Sequence, residues 1–389
     1  MHRICLILLA LSACQNTAVI VRPADCARTC AGCCDLTGAC LSGTEHDACG
    51  APGDVCIACG AGELCAEHRA CIPAPSSASA GDAGAPDAGR ADAGAPDAGT
   101  TTQPSTTCPP DGWCVEPVGT TAHLRSVWAR ANNDVWVAGD QGTVLHFDGT
   151  AWSRSSTNAT DDLFGIWAAS ANDVWAVGGT GLPTDPIGVI LHFDGTSWSA
   201  FRRGIERVDA VWGTSATDVW FAGGAGKLQH FDGTTLTTVP SGTTKDIVDL
   251  SGVSSSRVWA VGASGLILSF DGTQWTEVPT AMPNGLTSAL AFDAAQVWAA
   301  GGNGAFASWD GAQWRTTNVG QDVTVMGLWG TAPNAVWSVG PAGEVRFFNG
   351  TQQALKVSNT TQFLRDVHGV DATHAWAVGF NGTVLKYAP

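Results

Sequence analysis

The chain has 389 residues, with 35 Asp and Glu against 19 Lys and Arg and a formal net charge of −16 at pH 7. It contains no basic tract. Because nucleic-acid binding depends on Lys and Arg side chains that neutralise phosphates, this composition argues against a nucleic-acid partner.

Residues 1–14, MHRICLILLALSAC, have the layout of a secretory signal. Arg3 supplies the positive start, and the apolar run at 4–10 is too short to span a bilayer. The last four residues, Leu-Ser-Ala-Cys, resemble a bacterial lipobox. That resemblance implies removal of residues 1–13, acylation of Cys14, a lipidated tether over 14–25, and a protein anchored at the outer membrane or cell surface. An ordinary signal peptide followed by an unmodified cysteine is the alternative.

Residues 26–71 form a cysteine-rich module that is too small to fold on a hydrophobic core alone. Outside the cytoplasm we expect five disulfides, with a connectivity that the spacing does not settle. Cys30-x-x-Cys33 and Cys56-x-x-Cys59 also have zinc or redox spacing, which is the alternative. The ten cysteines are Cys26, Cys30, Cys33, Cys34, Cys40, Cys49, Cys56, Cys59, Cys65 and Cys71.

Residues 72–107 are rich in Ala, Gly, Pro, Ser, Thr and Asp, and DAGAPDAG occurs twice in them. Such a composition cannot bury a core, so we predict a disordered, acidic linker. Cys108 and Cys114 follow the linker and bracket PPDGW. We expect these two cysteines to pair and to staple the strand that begins at Trp113.

Residues 128–152, WARANNDVWVAGDQGTVLHFDGTAW, contain three apolar runs separated by polar turns, and Asp-Gly then leads into a fourth run at Trp152. Asp-Gly between alternating apolar runs is a hairpin signal, since both residues tolerate positive φ. The segment therefore predicts a four-stranded antiparallel meander.

The meander repeats along the chain. The second-strand Trp recurs at spacings of 39, 45, 39, 39, 39 and 39 residues, and Gly follows three residues later in every copy. Seven copies of four strands predict an all-β fold, a seven-bladed β-propeller of four-stranded antiparallel blades over 108–389. The ruler residues are Trp136, Trp175, Trp220, Trp259, Trp298, Trp337 and Trp376.

The seventh copy has only three strands, and a fourth-strand motif stands before the first copy. Asp-Gly precedes Trp113 there, and Trp113 to Trp128 spans fifteen residues, as does Trp152 to Trp167. We therefore predict that residues 113–118 close the ring as the outer strand of the last blade, which leaves no open sheet edge.

All 17 Trp occupy repeat positions, so we assign them to packing between blades rather than to stacking on sugars. Three His also recur, each just before the aromatic residue that ends a third strand. Equivalent positions diverge outward in neighbouring blades, so we expect no shared metal site, and no motif calls for a cofactor. These residues are His146, His192 and His230.

The segment F-D-G-T-x-W at 147–152 resembles the Asp-box (BNR-type) repeat, and DVWAVG followed by an apolar strand and D-G-x-W resembles tectonin-type lectin propellers. The likeness covers about 115–389 and implies a blade, not a function. The sequence lacks the Ser of the Asp-box and its one-residue gap before Gly. It also lacks a visible set of three strand-borne arginines, which sialidases have.

The starts of the innermost strands differ in chemistry from blade to blade, although the repeat places them at equivalent positions. We predict a ligand site at this channel mouth, beside the insertion at 180–188. Ion pairs between blades, for example Arg365 with a neighbouring Asp, are the alternative. The predicted ligand-binding residues are Arg125, Asp209, Asp249, Arg365 and Asp366.

These features together predict a monomeric, non-catalytic binding module at the cell surface, attached to the membrane by its lipid anchor, with a glycan or a surface protein as ligand. One alternative is a polysaccharide-acting enzyme of the glycoside hydrolase or lyase type. It would need two carboxylates about 5–10 Å apart, and Asp209, Asp249 and Asp366 are the channel candidates. A structural scaffold is the other alternative, because the fold alone does not select a function.

Overall fold

The computed structural model describes residues 108, 112–180, 187–280, 282, 284–316 and 324–389, together with four short strands nearer the amino terminus. The chain divides into two compact units, Met1–Gly99 and Thr100–Pro389. In the first unit, Thr44–Glu45 pairs with Ala48–Cys49, and Glu63–Cys65 pairs with Cys71–Pro73. The strand Cys71–Pro73 takes in the first two residues of the predicted linker. Cys14, residues 74–107 of the linker and the side chains of the ten module cysteines lie outside the described residues, so their predicted roles stay predictions.

The second unit is a seven-bladed β-propeller, as the repeat predicts. Each blade is a four-stranded antiparallel sheet, and in blades 1 to 6 the strands pair in chain order from the channel outward. No described helix has the length and hydropathy that crossing a bilayer requires.

The strands of each blade run from innermost to outermost. Blade 1 is Leu124–Ala131, Asp134–Gly139, Val144–Phe147 and Trp152–Ser155; blade 2 is Asp162–Ser170, Asp173–Thr180, Ile187–Phe193 and Trp198–Ile205. Blade 3 is Val208–Ser215, Asp218–Gly223, Leu228–Phe231 and Leu236–Thr238; blade 4 is Ile247–Ser254, Arg257–Gly262, Leu266–Phe270 and Trp275–Glu277. Blade 5 is Leu286–Ala291, Val297–Gly301, Phe306–Trp309 and Trp314–Thr316; blade 6 is Gly327–Ala332, Ala335–Val339, Val345–Phe348 and Gln353–Lys356. Blade 7 is Leu364–Asp371, His374–Gly379, Val384–Ala388 and Gly112–Glu116, and 3-10 turns lie at Gly224–Gly226, Ala263–Gly265 and Pro341–Gly343.

Blade 7 is assembled from distant parts of the chain. Its outer strand, Gly112–Glu116, pairs antiparallel with Val384–Ala388, and Trp113 lies opposite Tyr387. The side chain of Trp113 is fully buried. Its backbone N–H donates to the carbonyl of Val357, directly after the outer strand of blade 6, at 3.0 Å. A disulfide joins Cys108 to Cys114 on this strand. The closing strand is therefore tied both to its own blade and to the neighbouring one.

The tryptophans fill the spaces between the sheets. Every one of the 17 is buried or half-buried, and none is exposed. The second strands are buried on both faces, as in Asp134–Gly139. Trp175 shows the packing, because its ring lies 5.5 Å from Phe221 and 5.4 Å from Phe231, both in the next blade. The assignment of the tryptophans to packing agrees with these contacts.

The glycine three residues after each second-strand Trp allows a close approach of two backbones. A Cβ on Gly139 would lie 2.3 Å from the carbonyl oxygen of His123, and one on Gly178 would lie 1.9 Å from that of Asp162. No side chain fits at such distances, so every blade carries Gly at this position.

The Asp-Gly turns differ in one respect from the expectation. Only the glycine takes positive φ, which is 96° at Gly149. The Asp148 carboxylate instead accepts the N–H of Thr150 at 2.8 Å and of Ala151 at 2.9 Å, and it also accepts the Thr150 hydroxyl. These hydrogen bonds, led by that of the Thr150 hydroxyl, lower the pKa of Asp148 to about 2. Four further blades repeat the turn, at Asp194, Asp232, Asp271 and Asp310.

Candidate functional site

The inner strands of the blades surround a central cavity of about 740 Å³. The five predicted ligand-binding residues all line it, so the structure brings them together. The insertion beside it falls largely at residues 181–186, which lie outside the described residues. The residues three positions before the first-strand Trp position also line the cavity, in all seven blades: Arg125, Phe164, Asp209, Val248, Thr287, Met326 and Arg365.

Asp249 belongs to a hydrogen-bonded chain that crosses three blades. One of its oxygens accepts the N–H of Leu250 at 2.8 Å, and the other accepts that of Ala289, in the next blade, at 2.8 Å. The hydroxyl of Ser288 also donates to Asp249. The oxygen of Ser288 in turn accepts the N–H of Leu328 in blade 6 at 3.1 Å. Both carboxylate oxygens are thus engaged by the channel wall.

Asp366 builds the same arrangement across blades 7, 1 and 2. Its oxygens accept the N–H of Val367 at 2.8 Å and that of Val127 at 2.9 Å. Ser126 donates its hydroxyl to Asp366 and accepts the N–H of Ile166 at 3.4 Å. Two of the predicted ligand-binding carboxylates therefore satisfy backbone groups between blades.

The two aspartates follow blades that offer no acceptor at the equivalent position. At the equivalent position one blade earlier stands Ala210 in the case of Asp249 and Gly327 in the case of Asp366. Neither of these side chains can accept an N–H group from the next blade. Each aspartate therefore accepts an N–H group of its own blade as well as one of the blade that follows. Burial raises the pKa of Asp249 to about 7 and that of Asp366 to about 6.

The first-strand Trp position repeats this logic further along the channel. Where Ser251 replaces Trp, its hydroxyl oxygen accepts the N–H of Ala291 at 3.0 Å. Where His368 replaces Trp, its Nδ1 accepts the N–H of Ala129 at 3.1 Å. Burial lowers the pKa of His368 to about 3, so the imidazole is neutral and carries its proton on Nε2.

Arg125 and Asp209 have charged partners within the mouth. Arg125 forms an ion pair with Asp140 and lies 3.8 Å from Asp162. Asp209 pairs with Arg207 at 3.0 Å. Burial raises the pKa of Asp209 to about 6 despite this partner. Both side chains remain at the cavity, where a ligand could compete for their partners.

Arg365 differs from these residues. Its Nε is buried and has no hydrogen-bond partner, and no ion pair to it is found among the described residues. Burial and the neighbouring charge of Arg125 lower its pKa. The adjacent Asp366 does not form the ion pair that the sequence allowed as an alternative, because backbone N–H groups occupy that carboxylate.

Partly buried aromatic rings border the mouth between blades 7 and 1. His123 stacks on Phe380 with centroids 4.3 Å apart, and Phe380 stacks on Phe363 at 4.9 Å. The guanidinium carbon of Arg365 lies 6.0 Å from the Phe363 ring centre, and that of Arg125 lies 5.2 Å from the ring centre of Phe164. The two arginines thus lie among aromatic rings.

A second set of residues near the mouth was not predicted from the sequence. They lie five residues before the first-strand Trp position, and their side chains accept backbone N–H groups from loops of the preceding blade. Asp162 accepts the N–H of Gln141 at 3.0 Å, and Asp246 accepts that of Ala225 at 2.8 Å. The donors Gln141 and Ala225 have positive φ. The acceptors lie at one fixed position of the repeat, so the blade period is the sequence signal that locates them. His123 accepts the N–H of Asn381 in the same way.

The three recurring histidines belong to the packing and not to the mouth. The Nε2 of His146 lies 2.8 Å from Asp134, and its ring stacks on Trp136 at 4.0 Å. No group of three His, Cys, Asp or Glu with metal-binding geometry occurs among the described residues. The equivalent trios are His192, Asp173 and Trp175, and His230, Asp218 and Trp220.

Comparison with known proteins shows the fold and goes no further. No protein-family model matches the chain, and no curated protein does. Among solved structures, YCF48 bound to D1 peptide is 17% identical with a TM-score of 0.59, over 74% of this chain and 99% of that one. YCF48 from Cyanidioschyzon merolae is 15% identical with a TM-score of 0.57, over 72% and 99%. The WD40 β-propeller domain of Doa1 is 12% identical with a TM-score of 0.59, over 72% and 97%.

Proposed function

We propose that this propeller is a non-catalytic binding module that takes a segment of another protein at the mouth of its central channel. The observation that carries the proposal is the mouth itself, where equivalent positions of seven blades present six different kinds of side chain around one cavity. A repeat that served packing alone would not require this diversity. Cavities with a few convergent polar groups are the usual binding sites of proteins.

A protein ligand fits the surface better than a glycan. Stacking on sugars needs exposed aromatic faces, and all 17 Trp are buried or half-buried. Among the structural neighbours, one propeller of similar size is a complex with a peptide. That neighbour supports a peptide ligand as a class and says nothing of the sequence that would bind here.

The polysaccharide-enzyme alternative receives less support. A general acid or nucleophile needs a carboxylate oxygen that is free to reach substrate. Both oxygens of Asp249 and of Asp366 accept backbone N–H groups, and Asp209 pairs with Arg207.

A phage-displayed dodecapeptide library, selected on the purified full chain, tests the proposal. We expect enriched peptides whose binding falls at least tenfold in Phe164→Ala and Asp209→Ala, because both side chains line the mouth. Asp232→Ala is the matched control, since this Asp lies in a turn after a third strand, at the other end of the blade. Enriched peptides that bind all three variants alike, or an unenriched library, would contradict a peptide site at the mouth.

We further propose that the propeller works at the cell surface, held there by acylated Cys14, the cysteine-rich module and the linker. The support is the lipobox-like sequence that ends at Cys14. A single acyl chain binds membranes only marginally, so we expect several acyl chains on this residue. Cys14→Ser should move the protein from the membrane to the soluble fraction while its melting temperature stays unchanged. Retention in the membrane, with no acyl mass on the N-terminal peptide, would reject the anchor.

A further inference from the structure

We propose that Arg365, together with Arg125, forms a subsite for a carboxylate group of the protein ligand, at the junction of blades 7 and 1. This inference rests on the proposed function and names the ligand chemistry that the mouth recognises. The geometric observation is a buried guanidinium Nε that lacks a hydrogen-bond partner among the described residues.

The two arginines differ in how well their charge is compensated. Arg125 has Asp140 as an ion-pair partner and Asp162 at 3.8 Å. The negative charges of Asp366 and Asp140 act to raise the pKa of Arg365, but neither carboxylate forms an ion pair with it. Arg365 is therefore the guanidinium group of the pair that lacks a contacting counter-ion among the described residues, and an incoming anion would supply one.

The available donors match a carboxylate. A guanidinium presents planar N–H groups in pairs. Since the Nε of Arg365 is buried, its two Nη groups are the pair that binds the two oxygens of a carboxylate side by side. The stabilisation is larger in a partly buried site than in open water, because fewer water molecules compete for the charge. Arg365 is half-buried at the cavity wall, so it meets this condition.

The surroundings indicate what lies next to that carboxylate. The ring of Phe363, which stacks on Phe380, lies 6.0 Å from the guanidinium carbon of Arg365, and the ring of Phe164 lies 5.2 Å from that of Arg125. An apolar or aromatic group beside the carboxylate would cover these rings. The chain terminus of a peptide that ends in an aromatic residue has this chemistry, and so does an acidic side chain next to an aromatic one.

Small probes separate these two sources. N-acetyl-phenylalanine carries a terminal carboxylate, N-acetyl-glutamic acid α-amide carries a side-chain carboxylate, and N-acetyl-phenylalanine amide carries neither. We expect at least one acid to raise the melting temperature of the full chain saturably, at constant ionic strength, and the neutral amide to leave it unchanged. The acid that acts identifies the source. Equal effects of the acids and the amide, or no effect of either acid, would overturn the subsite.

Variants of Arg365 test whether the effect arises at this residue. Arg365→Gln should abolish the response to the acids, and Arg365→Lys should keep only part of it because Lys lacks the planar pair of donors. Arg257→Gln is the control, since Arg257 is exposed and lies at the far end of its strand. An undiminished response in Arg365→Gln would overturn the proposal.

The stability of the unliganded variant gives a second, independent readout. If Arg365 waits for an anion, Arg365→Gln should melt at or above the wild-type temperature, because it removes a partly buried charge that has no contacting partner. A clear fall in melting temperature would make Arg365 a structural residue and overturn the subsite.

The two proposals can fail separately. Selected peptides that bind wild type and Arg365→Gln with equal affinity would leave the peptide site intact and refute the carboxylate subsite. A saturable response to an acid that Arg365→Gln removes, without any enriched peptide, would leave the subsite intact and refute the peptide function.

Discussion

Two half-buried aspartates, Asp249 and Asp366, accept backbone N–H groups that face the channel. Asp249 satisfies the N–H groups of Leu250 and Ala289, which face the gap between blades and have no strand partner there. In blade 5 the smaller Ser288 serves a single N–H, that of Leu328. Asp249 and Asp366 thus each accept two backbone N–H groups, whereas Ser126 and Ser288 each accept one.

We expect Asp249→Ala to lower the free energy of unfolding by about 1–3 kcal/mol for each N–H group that it leaves buried and unpaired. Asp249→Ser should be milder, because a serine at this position satisfies the next blade's N–H in two other blades. Urea denaturation at pH 7 measures both changes. Equal unfolding free energies of the alanine and serine variants would contradict the hydrogen-bonding role.

The same residue predicts a pH dependence whose sign can be worked out. Its pKa is about 7 in the folded chain against about 4 in the unfolded one, so the folded state holds the proton more tightly. The resulting stabilisation is complete below about pH 4 and is lost as the pH rises towards 7. The gap in unfolding free energy between wild type and Asp249→Ser should therefore narrow over that interval.

His368 should show the opposite trend. Burial lowers its pKa to about 3, against about 6.5 when unfolded, so its contribution is complete above pH 6.5 and is lost on acidification. The gap between wild type and His368→Phe should narrow as the pH falls from 6.5 to 4. Urea denaturation across pH 4–7.5 compares the two variants, and parallel trends would show that one of the two assignments is wrong.

Neighbouring inner strands fit together through Trp and Gly at positions one blade apart. A Cβ on Gly252 would lie 2.5 Å from the ring of Trp212, in the preceding blade, and one on Gly369 would lie 2.6 Å from that of Trp329. The position that holds Gly252 and Gly369 carries only Gly or Ala in the seven blades, with Ala129, Ala168 and Ala291 as the alanines. The first-strand Trp and the next blade's small residue are thus one packing unit.

Gly252→Ala should lower the unfolding free energy by about 1–3 kcal/mol, because the added methyl overfills the contact with Trp212. Trp212→Leu in the same chain should recover part of that loss, although the backbone contact with Arg257 persists. A double-mutant cycle measures the coupling between the two positions. Gly285→Ala is the control, since its Cβ would meet no atom within 4 Å. Additive effects of the two changes would refute the packing unit.

The spacing of the repeats predicted the strands, the number of blades and the burial of the tryptophans, because each depends on local pattern and period. It did not predict that both carboxylate oxygens of Asp249 accept backbone N–H groups of the channel wall. That choice depends on which N–H groups the blades on both sides leave unpaired, and Ala289 is forty residues away. For the same reason Arg365 could be placed at the mouth from sequence, while its lack of a contacting partner could not.

The outermost strand of blade 7 contributes one large buried side chain to the closure of the ring, that of Trp113. Trp113 contacts Trp337 edge-on at 5.1 Å and Tyr387 at 5.5 Å, so it joins blades 6 and 7. Trp113→Ala should lower the unfolding free energy by about 3–5 kcal/mol, the usual cost of emptying a buried aromatic site. Calorimetry of the full chain measures it, with Trp152→Ala, which removes a half-buried Trp, as a milder control. Equal losses for the two variants would show that the closing strand has no special weight.

The pairing of Glu116 with Val384 also sets an order in time. During synthesis, the strand that completes the last blade leaves the ribosome before the other propeller strands, and its partner leaves after them. Trp113 must therefore wait, uncovered, until nearly the whole ring has been made, and such distant pairing is slow. A product that stops short of Val384 lacks the strand with which Trp113 pairs, so its last blade stays incomplete.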